Sequence, residues 1–479
     1  MSATTIAHPE VAQADVSRPT GSPAVRLVLL CAAQFMLIVD VVIVNVALPT
    51  IRTDLAIPDS RLPLVSVAYT LTFGSLLIVF GRAGDLLGRR LLFLTGLTTF
   101  TLASLATGLA QAEWQLVAAR AGQGVGAAMV SPTALALLTT AFREGASRNR
   151  ALGYWAAVGS GGAVAGQLIG GVVTDAVGWR GIFFINVPIG AATLALARRH
   201  LHESRAEERP TLDLRGAFLL TVGLAAGTLS LTRFAEGGRT QEALWLAVAS
   251  GAALAALVGV ERRHTAPLLD RRPLRVGGVA RANVLLAIDA GALGATLFFT
   301  TLYLQVVLGY SPMTVGAAFA PITLLIIVIS PRAGALTTRY GPRLPIAAGF
   351  VLLTTGMWLL ARVPTSGSYL RDVLPPLLLL ATGSGLSYAP IFIVGTTGVA
   401  DSDQGLASGF LNSAQELGAA IGITILGAIA TAVTLGDDPA ALTAGYRAGF
   451  LAASAATALS MILIRGTGTR PDPEVVADH

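Results

Sequence analysis

The sequence contains fourteen apolar runs of about 20 residues, and these runs limit the fold more than any other feature. A helix needs about 20 apolar residues to cross a hydrocarbon core of about 30 Å, because unbonded backbone groups cannot face lipid. We therefore predict an all-α, polytopic membrane protein with 14 transmembrane helices. The runs cover approximately residues 25–48, 62–81, 91–110, 114–138, 151–173, 181–197, 216–234, 243–260, 282–307, 314–331, 344–361, 373–396, 405–434 and 448–465.

The composition agrees with this prediction and excludes several kinds of chemistry. Apolar residues make up 53% of the chain and charged residues 13%, whereas soluble domains carry about 25% charged residues. All 33 basic residues are arginines, which excludes a P-loop lysine and lysine Schiff-base chemistry. The single cysteine, Cys31, lies inside an apolar run and allows no multi-cysteine metal site, and the five histidines all lie outside the apolar runs. We expect no cofactor, no metal and no catalytic residues.

The distribution of arginines predicts the orientation of the helices. Short cytoplasmic loops of membrane proteins carry an excess of positive charge. With the N-terminus inside, the inner segments hold 24 arginines and the outer loops hold 8. We therefore place both termini in the cytoplasm and the chain in the cytoplasmic (inner) membrane. Residues 1–24 lack the basic start of a cleavable signal and are expected to form a retained, disordered tail, and residues 467–479 form a second tail.

A loop motif occurs twice at a constant offset. Residues 81–90 read GRAGDLLGRR and residues 334–343 read GALTTRYGPR, so two glycines and an arginine match at an offset of 253 residues. Because each copy follows the second span of a six-span unit, the motif indicates a duplicated bundle. We predict six-helix bundles at 25–198 and 282–466, with a two-helix insert and its flanking loops at 199–281.

Six segments of the sequence, including the first copy of the loop motif, resemble motifs of a known family. Together they make the chain similar to the major facilitator superfamily and, within it, to the fourteen-span drug:proton antiporters. One departure is Gln167, which stands where the fifth-span motif of that family usually has a proline. The six segments are residues 37–49, 81–90, 120–128, 162–171, 179–188 and 405–412.

Four ionisable side chains lie well inside predicted spans, namely Asp40, Arg120, Asp289 and Glu416. Each costs about 2.5–3.5 kcal/mol at a helix centre, so such residues should face a cavity or one another. Two interpretations stay open, because the groups either form buried pairs that fix helix packing or exchange protons during transport. The resemblance places Arg120 close to the first span. We hypothesise that protonation of Asp40 weakens its contact with Arg120 or with a cationic substrate.

Two glycine-containing features are candidates for gating. Gly162, Gly166 and Gly170 recur every four residues in the fifth span, with Gly171 beside them. Their missing side chains allow another helix to approach closely, and we expect a sliding contact between the two bundles. Tight packing without a part in gating is the alternative interpretation.

The loop motif is the second gating candidate. The resemblance implies a latch between helices in the outward-open state, formed by the motif residues Gly81, Asp85, Gly88, Arg89 and Arg90. A solvated run of charge is the alternative. Because the second copy has Thr338 in place of the aspartate, we expect the latch to be one-sided.

A substrate pocket is expected between the bundles. Rings near buried acids suit bulky lipophilic compounds, including cationic ones. Taken alone, each ring is better explained by packing against helices or lipid. The aromatic candidates, on spans that the resemblance turns toward the cavity, are Phe35, Tyr69, Phe298, Phe299, Tyr303 and Tyr388. The polar candidates, which lie in the resembling motifs, are Asn45, Gln123 and Asn412.

These features together predict a transporter rather than an enzyme. We expect proton-driven efflux of lipophilic drug-like or antibiotic molecules by alternating access. The expected partners are such a small molecule, protons and the lipid bilayer, with no nucleic acid, and the chain is expected to be a monomer. A proton-coupled symporter or uniporter that imports a small metabolite is the alternative within the same fold, and a membrane enzyme or sensor is a third.

Overall fold

The computed structural model describes residues 22–58, 61–62, 64–203, 213–236, 240–262, 268–270, 272–436 and 438–465. Most of both predicted tails lies outside these residues. The described chain is almost entirely helical. Its α-helices are α1 (Pro23–Asp54), α2 (Leu64–Leu87), α3 (Arg89–Gly108), α4 (Glu113–Ala141), α5 (Ala146–Val177), α6 (Gly181–Phe184), α7 (Asn186–His200), α8 (Leu214–Glu236), α9 (Thr240–Glu261), α10 (Arg272–Arg275), α11 (Val279–Leu302), α12 (Pro312–Tyr340), α13 (Arg343–Leu360), α14 (Leu374–Thr396), α15 (Gln404–Val433) and α16 (Pro439–Ile464).

The helices match the predicted membrane spans. Among the described residues, thirteen helical segments are long and apolar enough to cross a membrane, and α6 and α7 together form one of them. The remaining predicted span coincides with α5, which has 32 residues. Short π-helical segments continue α11 at Tyr303–Val307 and precede α14 at Tyr369–Val373. The predicted all-α, polytopic fold is confirmed.

Two glycines of the repeated loop motif end equivalent helices. Gly88, after α2, has φ +120°, and Gly341, after α12, has φ +77°. These left-handed conformations carry a steric penalty for residues with a Cβ, so glycine is the residue that turns the chain tightly here. The two positions differ by the 253-residue offset of the sequence repeat. We call the end of the molecule that holds Gly88 and Gly341 the loop-motif end.

The helices pack as two groups and one hairpin. Helices α1 to α7 pack mainly on one another and form the first group, while α11 to α16 form the second group. The two groups meet along a seam, defined here as α2 against α15 and α5 against α12. The domain boundaries drawn from the sequence stay a prediction, with which this arrangement agrees.

The hairpin of α8 and α9 packs against both groups at the seam. Helix α8 contacts α2 of the first group and α15 of the second. A cluster of buried apolar side chains joins them, and it includes Ile78 and Val79 of α2, Leu220 of α8 and Leu406 of α15. The insert therefore lies outside the seam between α2 and α15.

The glycine series of α5 packs within the first group. A Cβ on Gly166 would lie 3.1 Å from the carbonyl oxygen of Val39, and a Cβ on Gly170 would lie 2.8 Å from Ile43 Cγ1, both in α1. Gly162 likewise faces Ile38 and Phe35 of α1. The expectation that this series forms a sliding contact between the bundles is therefore wrong, because its neighbour is α1 rather than α12.

Other glycines provide the close contacts across the seam. A Cβ on Gly81 of α2 would lie 2.5 Å from the carbonyl oxygen of Gly405 in α15. On the other side of the seam, a Cβ on Gly153 of α5 would lie 2.8 Å from Pro331 Cα in α12. Backbones approach this closely only where no side chain intervenes.

We predict that Gly166→Leu separates α5 from α1 and lowers stability by about 1–3 kcal/mol, the usual cost of overpacking. The matched control is Gly171→Leu, because a Cβ on Gly171 would meet no atom within 4 Å. Thermal unfolding of the purified protein in detergent checks this. Equal unfolding midpoints for the two variants would contradict the packing described.

Candidate functional site

The first group contains a buried ion pair between Asp40 of α1 and Arg120 of α4. Arg120 Nη1 donates to Asp40 Oδ2 at 2.5 Å, and the two side chains are 1% and 0% exposed, in that order. Arg120 Nε donates to the Val65 carbonyl at 3.2 Å, and its guanidinium carbon lies 4.5 Å from the centre of the Tyr69 ring. Removing one partner of such a pair typically costs about 3–5 kcal/mol, since the other charge stays buried.

Two amide side chains complete the surroundings of this pair. Gln123 Nε2 donates to Asp40 Oδ1 at 2.9 Å, and Asn186 Nδ2 of α7 donates to the same oxygen at 2.7 Å. Gln123 Oε1 accepts from Arg120 Nη1 at 2.9 Å. Tyr69 and Gln123, predicted from the sequence as substrate-binding residues, are 0% exposed and pack within this network.

The second group contains two acids in different surroundings. Asp289 of α11 is 1% exposed, and neither of its carboxyl oxygens has a hydrogen-bond partner among the described residues. Glu416 of α15 is partly accessible. Both acids interact electrostatically with the hydroxyl of Tyr388 in α14, and that hydroxyl donates to Gln415 Oε1. The structure thus brings Asp289, Glu416 and Tyr388 together, and Glu416 also interacts electrostatically with Tyr69 of the Asp40 network.

Side chains from both groups meet midway along the seam. A Cβ on Gly159 of α5 would lie 3.7 Å from Tyr388 Cε1 and 4.0 Å from Ile38 Cδ1. Phe35 lies five residues before Asp40 in α1 and next to Gly162. This region, which we call the central site, joins an aromatic ring of each group to the acids of the second group.

Asn412 also connects the two groups near the central site. Its Oδ1 accepts from Ser131 Oγ of α4 at 3.3 Å, and its Nδ2 donates to the Ser408 carbonyl within α15. Asn45 lies in α1, but its side chain is outside the described part of the structure.

Three of the predicted aromatic residues lie away from the central site. Phe299 is 2% exposed and packs against Tyr446 and Phe450 of α16. Tyr303 donates from its hydroxyl to the Pro364 carbonyl at 2.5 Å, and Phe298 is 46% exposed on α11. We therefore do not include these residues in the proposed pocket.

Asp85 of the loop motif joins α2 to the start of α15. Its carboxylate accepts from the backbone amides of Gly405 and Leu406, both at 2.9 Å. These amides belong to the first turn of a 30-residue helix, where the helix dipole favours negative charge. Arg89 donates to Asp85 from Nε at 3.0 Å and from Nη2 at 2.6 Å, and it also donates to the carbonyl of Asp401.

The other motif residues hold the loop in position. Gly88 supplies the turn described above, and Arg90 Nη2 donates to the Arg198 carbonyl at 2.9 Å. Glu203 accepts from the backbone amides of Arg90 and Leu91 at 3.0 and 3.1 Å, which satisfies the start of α3. Asp85 and Arg89 thus connect the two groups, while Arg90 contacts the first group.

The second copy of the motif also crosses the seam. Thr338 Oγ1 accepts from Asn149 Nδ2 of α5 at 2.8 Å, and Gly334 packs against the Asn149 carbonyl. The expectation of a one-sided latch is wrong, because a neutral hydrogen bond takes the place of the charged contact. The sequence motifs did not indicate Asn149. The 253-residue offset of the repeat relates it to position 402, just before α15, which is the helix that Asp85 contacts.

Arg148 of α5 is a second residue between the two groups that the sequence motifs did not indicate. Its Nη2 donates to the Thr396 carbonyl at 2.7 Å, while Nη1 donates to Glu144 at 3.0 Å. Glu144 in turn accepts from the Gly398 amide at 3.0 Å. Apart from the bond between Ser131 and Asn412, the hydrogen bonds that the described residues make between the two groups lie near the loop-motif end, so this end is closed.

A separate contact fixes the opposite end of the first group. Asp54, at the end of α1, accepts from Arg180 Nη1 at 2.6 Å and from Trp179 Nε1 at 3.0 Å. The hydrogen bond from Arg180, followed by that from Trp179, lowers the pKa of the Asp54 carboxyl. These bonds tie the ends of α1 and α5 together away from the seam.

Comparison with known proteins places this architecture in a family. The family model described as the Major Facilitator Superfamily matches residues 30–423. The chain is 39% identical over 437 residues to the cephamycin export protein CmcT of Amycolatopsis lactamdurans, with 90% of each chain covered. It is 36% identical over 440 residues to the puromycin resistance protein pur8 of Streptomyces alboniger, covering 90% of this chain and 87% of that protein.

A solved structure shows the same fold. The human organic anion transporter MFSD10 (TETRAN) superimposes with a TM-score of 0.69 at 16% sequence identity, covering 93% of this chain and 100% of that chain. The present chain belongs to the Major Facilitator Superfamily. It is a multi-pass membrane protein of a transporter family, as the sequence motifs predicted.

We predict that Asp85→Asn opens the loop-motif end. The asparagine amide would point one donor at the amides of α15, and a buried unsatisfied group costs about 1–3 kcal/mol. Spin labels at the exposed positions Leu87 and Leu344 should show a longer distance in a larger fraction of molecules.

The matched control for this prediction is Thr338→Val, which removes a single neutral hydrogen bond across the same seam. Such a bond contributes about 0.5–1.5 kcal/mol, so the shift in distance should be smaller. An unchanged distance distribution in Asp85→Asn would argue against a latch.

Proposed function

We propose that this chain exports lipophilic drug-like or antibiotic molecules across the cytoplasmic membrane, driven by the entry of protons. The observation that carries this proposal is the 39% identity with a cephamycin export protein over 90% of both chains. Similarity to a puromycin resistance protein over a comparable length supports the same direction of transport. We propose that the protein acts as a monomer, since one chain supplies the residues named for the central site.

The proposed cycle alternates between closure of the loop-motif end and closure of the opposite end. The arginine distribution supports placing both termini and the loop-motif end in the cytoplasm. The structure would then represent the state closed to the cytoplasm, from which substrate leaves and into which protons enter. Release of Asp85 from the start of α15, together with release of Asn149 from Thr338, would open the cytoplasmic side.

We propose that Asp289 and Glu416 carry the proton. A buried carboxylate without a partner is much more costly than the neutral acid, and the described residues give Asp289 no hydrogen-bond partner. Glu416 is partly accessible, so it can exchange protons with the central site. Loss of a proton would leave a negative charge beside the seam, and a repacking that brings solvent or a cation to that charge would be favoured.

The substrate would bind at the central site between the two groups. Phe35 and Tyr388 offer aromatic faces, while Asn412 and Gln415 offer polar groups. An apolar pocket with few polar groups is typical of sites for lipophilic compounds. The acids beside Tyr388 would also accept compounds with a positive charge.

The proton gradient supplies enough free energy for this export. A membrane potential of about 100 mV contributes about 2.3 kcal/mol per proton, and one pH unit contributes about 1.4 kcal/mol. The total of about 3.7 kcal/mol supports a gradient of several hundred-fold for a neutral solute exchanged one to one. For a monocation the electrical term cancels, and only the pH term remains.

We predict that everted membrane vesicles accumulate a lipophilic antibiotic when their lumen is acidified. The variants Asp289→Asn and Glu416→Gln should each lower this accumulation by about tenfold or more, since each removes a group that binds a proton. Fluorescence quenching or filter binding of the labelled compound measures it.

The matched control removes an acid at the surface. Glu113→Gln breaks an exposed pair with Arg61, a change worth about 0–1 kcal/mol, and transport should be retained. Accumulation driven by an alkaline lumen would instead support a symporter that imports its substrate. Undiminished proton-driven transport in both acid variants would remove these residues from the coupling mechanism.

A further inference from the structure

The carboxylate of Asp40 is surrounded by hydrogen-bond donors. Its Oδ1 accepts from Gln123 Nε2 and Asn186 Nδ2, and its Oδ2 accepts from Arg120 Nη1. These three partners are the hydrogen-bond partners that the structure describes for Asp40, and each donates. An ionised carboxylate only accepts hydrogen bonds, whereas a protonated one must also donate. The arrangement therefore fits the charged form.

The orientation of Gln123 is fixed by its other partners. Its Oε1 accepts from Arg120 Nη1 at 2.9 Å and from Thr107 Oγ1 at 3.2 Å. Its Nε2 donates to Ser104 Oγ at 2.8 Å as well as to Asp40. Turning the amide would place its NH2 group against the guanidinium, which has no acceptor. Gln123 therefore cannot offer its oxygen to a protonated Asp40 while Arg120 stays in place.

Asn186 brings a third part of the chain to the same carboxylate. It is the first residue of α7, is 2% exposed, and donates to Asp40 at 2.7 Å. The charged or titratable groups next to Asp40 are Arg120 from α4 and Tyr69 from α2, and Tyr69 in turn interacts electrostatically with Glu416 of α15. The described contacts from α3 and α7 come from the neutral side chains of Ser104, Thr107 and Asn186.

We propose that Asn186 and Gln123 are positioning residues that hold Asp40 as an anion, which makes the Asp40–Arg120 pair a fixed anchor of the first group. In this arrangement the transported proton is not carried at Asp40. The two groups of helices then divide their tasks: the first holds a compensated charge, and the second holds the acids that change protonation. This assignment differs from the hypothesis that protonation of Asp40 weakens its contact with Arg120. It predicts that Asp40→Asn loses stability.

Infrared spectroscopy tests the charge state directly. Spectra of the purified full-length protein between about pH 5 and pH 8 should contain no protonated-carboxyl band that disappears in Asp40→Asn. An Asp40-dependent band that rises within this range would overturn the proposal. This measurement does not use transport, so its result stands whether the chain exports or imports its substrate.

A substitution at Asn186 tests the positioning role. Asn186→Asp places a second carboxyl within hydrogen-bond distance of Asp40, and two such close groups cannot both ionise readily. One of them must hold a proton in the folded state, so the folded form binds more protons than the unfolded form. Stability relative to the natural protein should therefore fall as the pH rises from about 5 to about 8.

Two further variants separate this effect from simple loss of packing. Asn186→Ala removes a donor without adding charge, and its unfolding midpoint should be lower by the same amount at each pH. Asn283→Asp is the matched control, because the Asn283 amide donates to the Val279 carbonyl of its own helix rather than to an acid. A loss of stability in Asn186→Asp that does not change with pH would overturn the proposal. It would mean that Asp40 is already protonated in the natural protein and shares that proton with the new carboxylate, so the substitution adds no proton on folding.

Discussion

The structure depends on giving each buried charge a compensating partner where water and lipid cannot provide one. At Asp40 the compensation comes from a guanidinium and two amides, and at Asp85 from an arginine and the first amides of α15. Both carboxylates are 0% exposed. The first arrangement joins helices within one group, and the second joins the two groups. Similar chemistry therefore joins helices within one group in one place and joins the two groups in another.

The two copies of the loop motif show how a duplicated unit can diverge while it keeps its geometry. Gly81 and Gly334 both allow a close approach across the seam. The first copy adds a buried charged contact through Asp85, whereas the second adds a neutral hydrogen bond through Thr338. A charge-assisted bond is stronger than a neutral one. The two copies of the motif therefore contribute contacts of unequal strength between the two groups.

The sequence allowed the fold to be predicted in most respects. Run length led to the membrane spans, and the 253-residue offset led to two glycines that end equivalent helices, because each reflects a local constraint. The motifs led to the correct family, although the roles of the individual site residues stay predictions. The sequence did not allow us to predict which helix packs against a given helix face. The α5 glycines indicate close packing, but only the assembled bundle shows that α1 is the neighbour.

The position of the α8–α9 hairpin has a consequence for the motion that the fold permits. Apolar side chains gain little from avoiding lipid tails, so the contacts of Leu220 with α2 and α15 act through shape and dispersion rather than through exclusion of water. If α2 and α15 part beneath the hairpin, α8 can follow one of them and leave the other to the bilayer. Each transport cycle would then expose to lipid a strip of the protein surface that α8 had covered. The lipid composition of the membrane would therefore affect the free energy of opening.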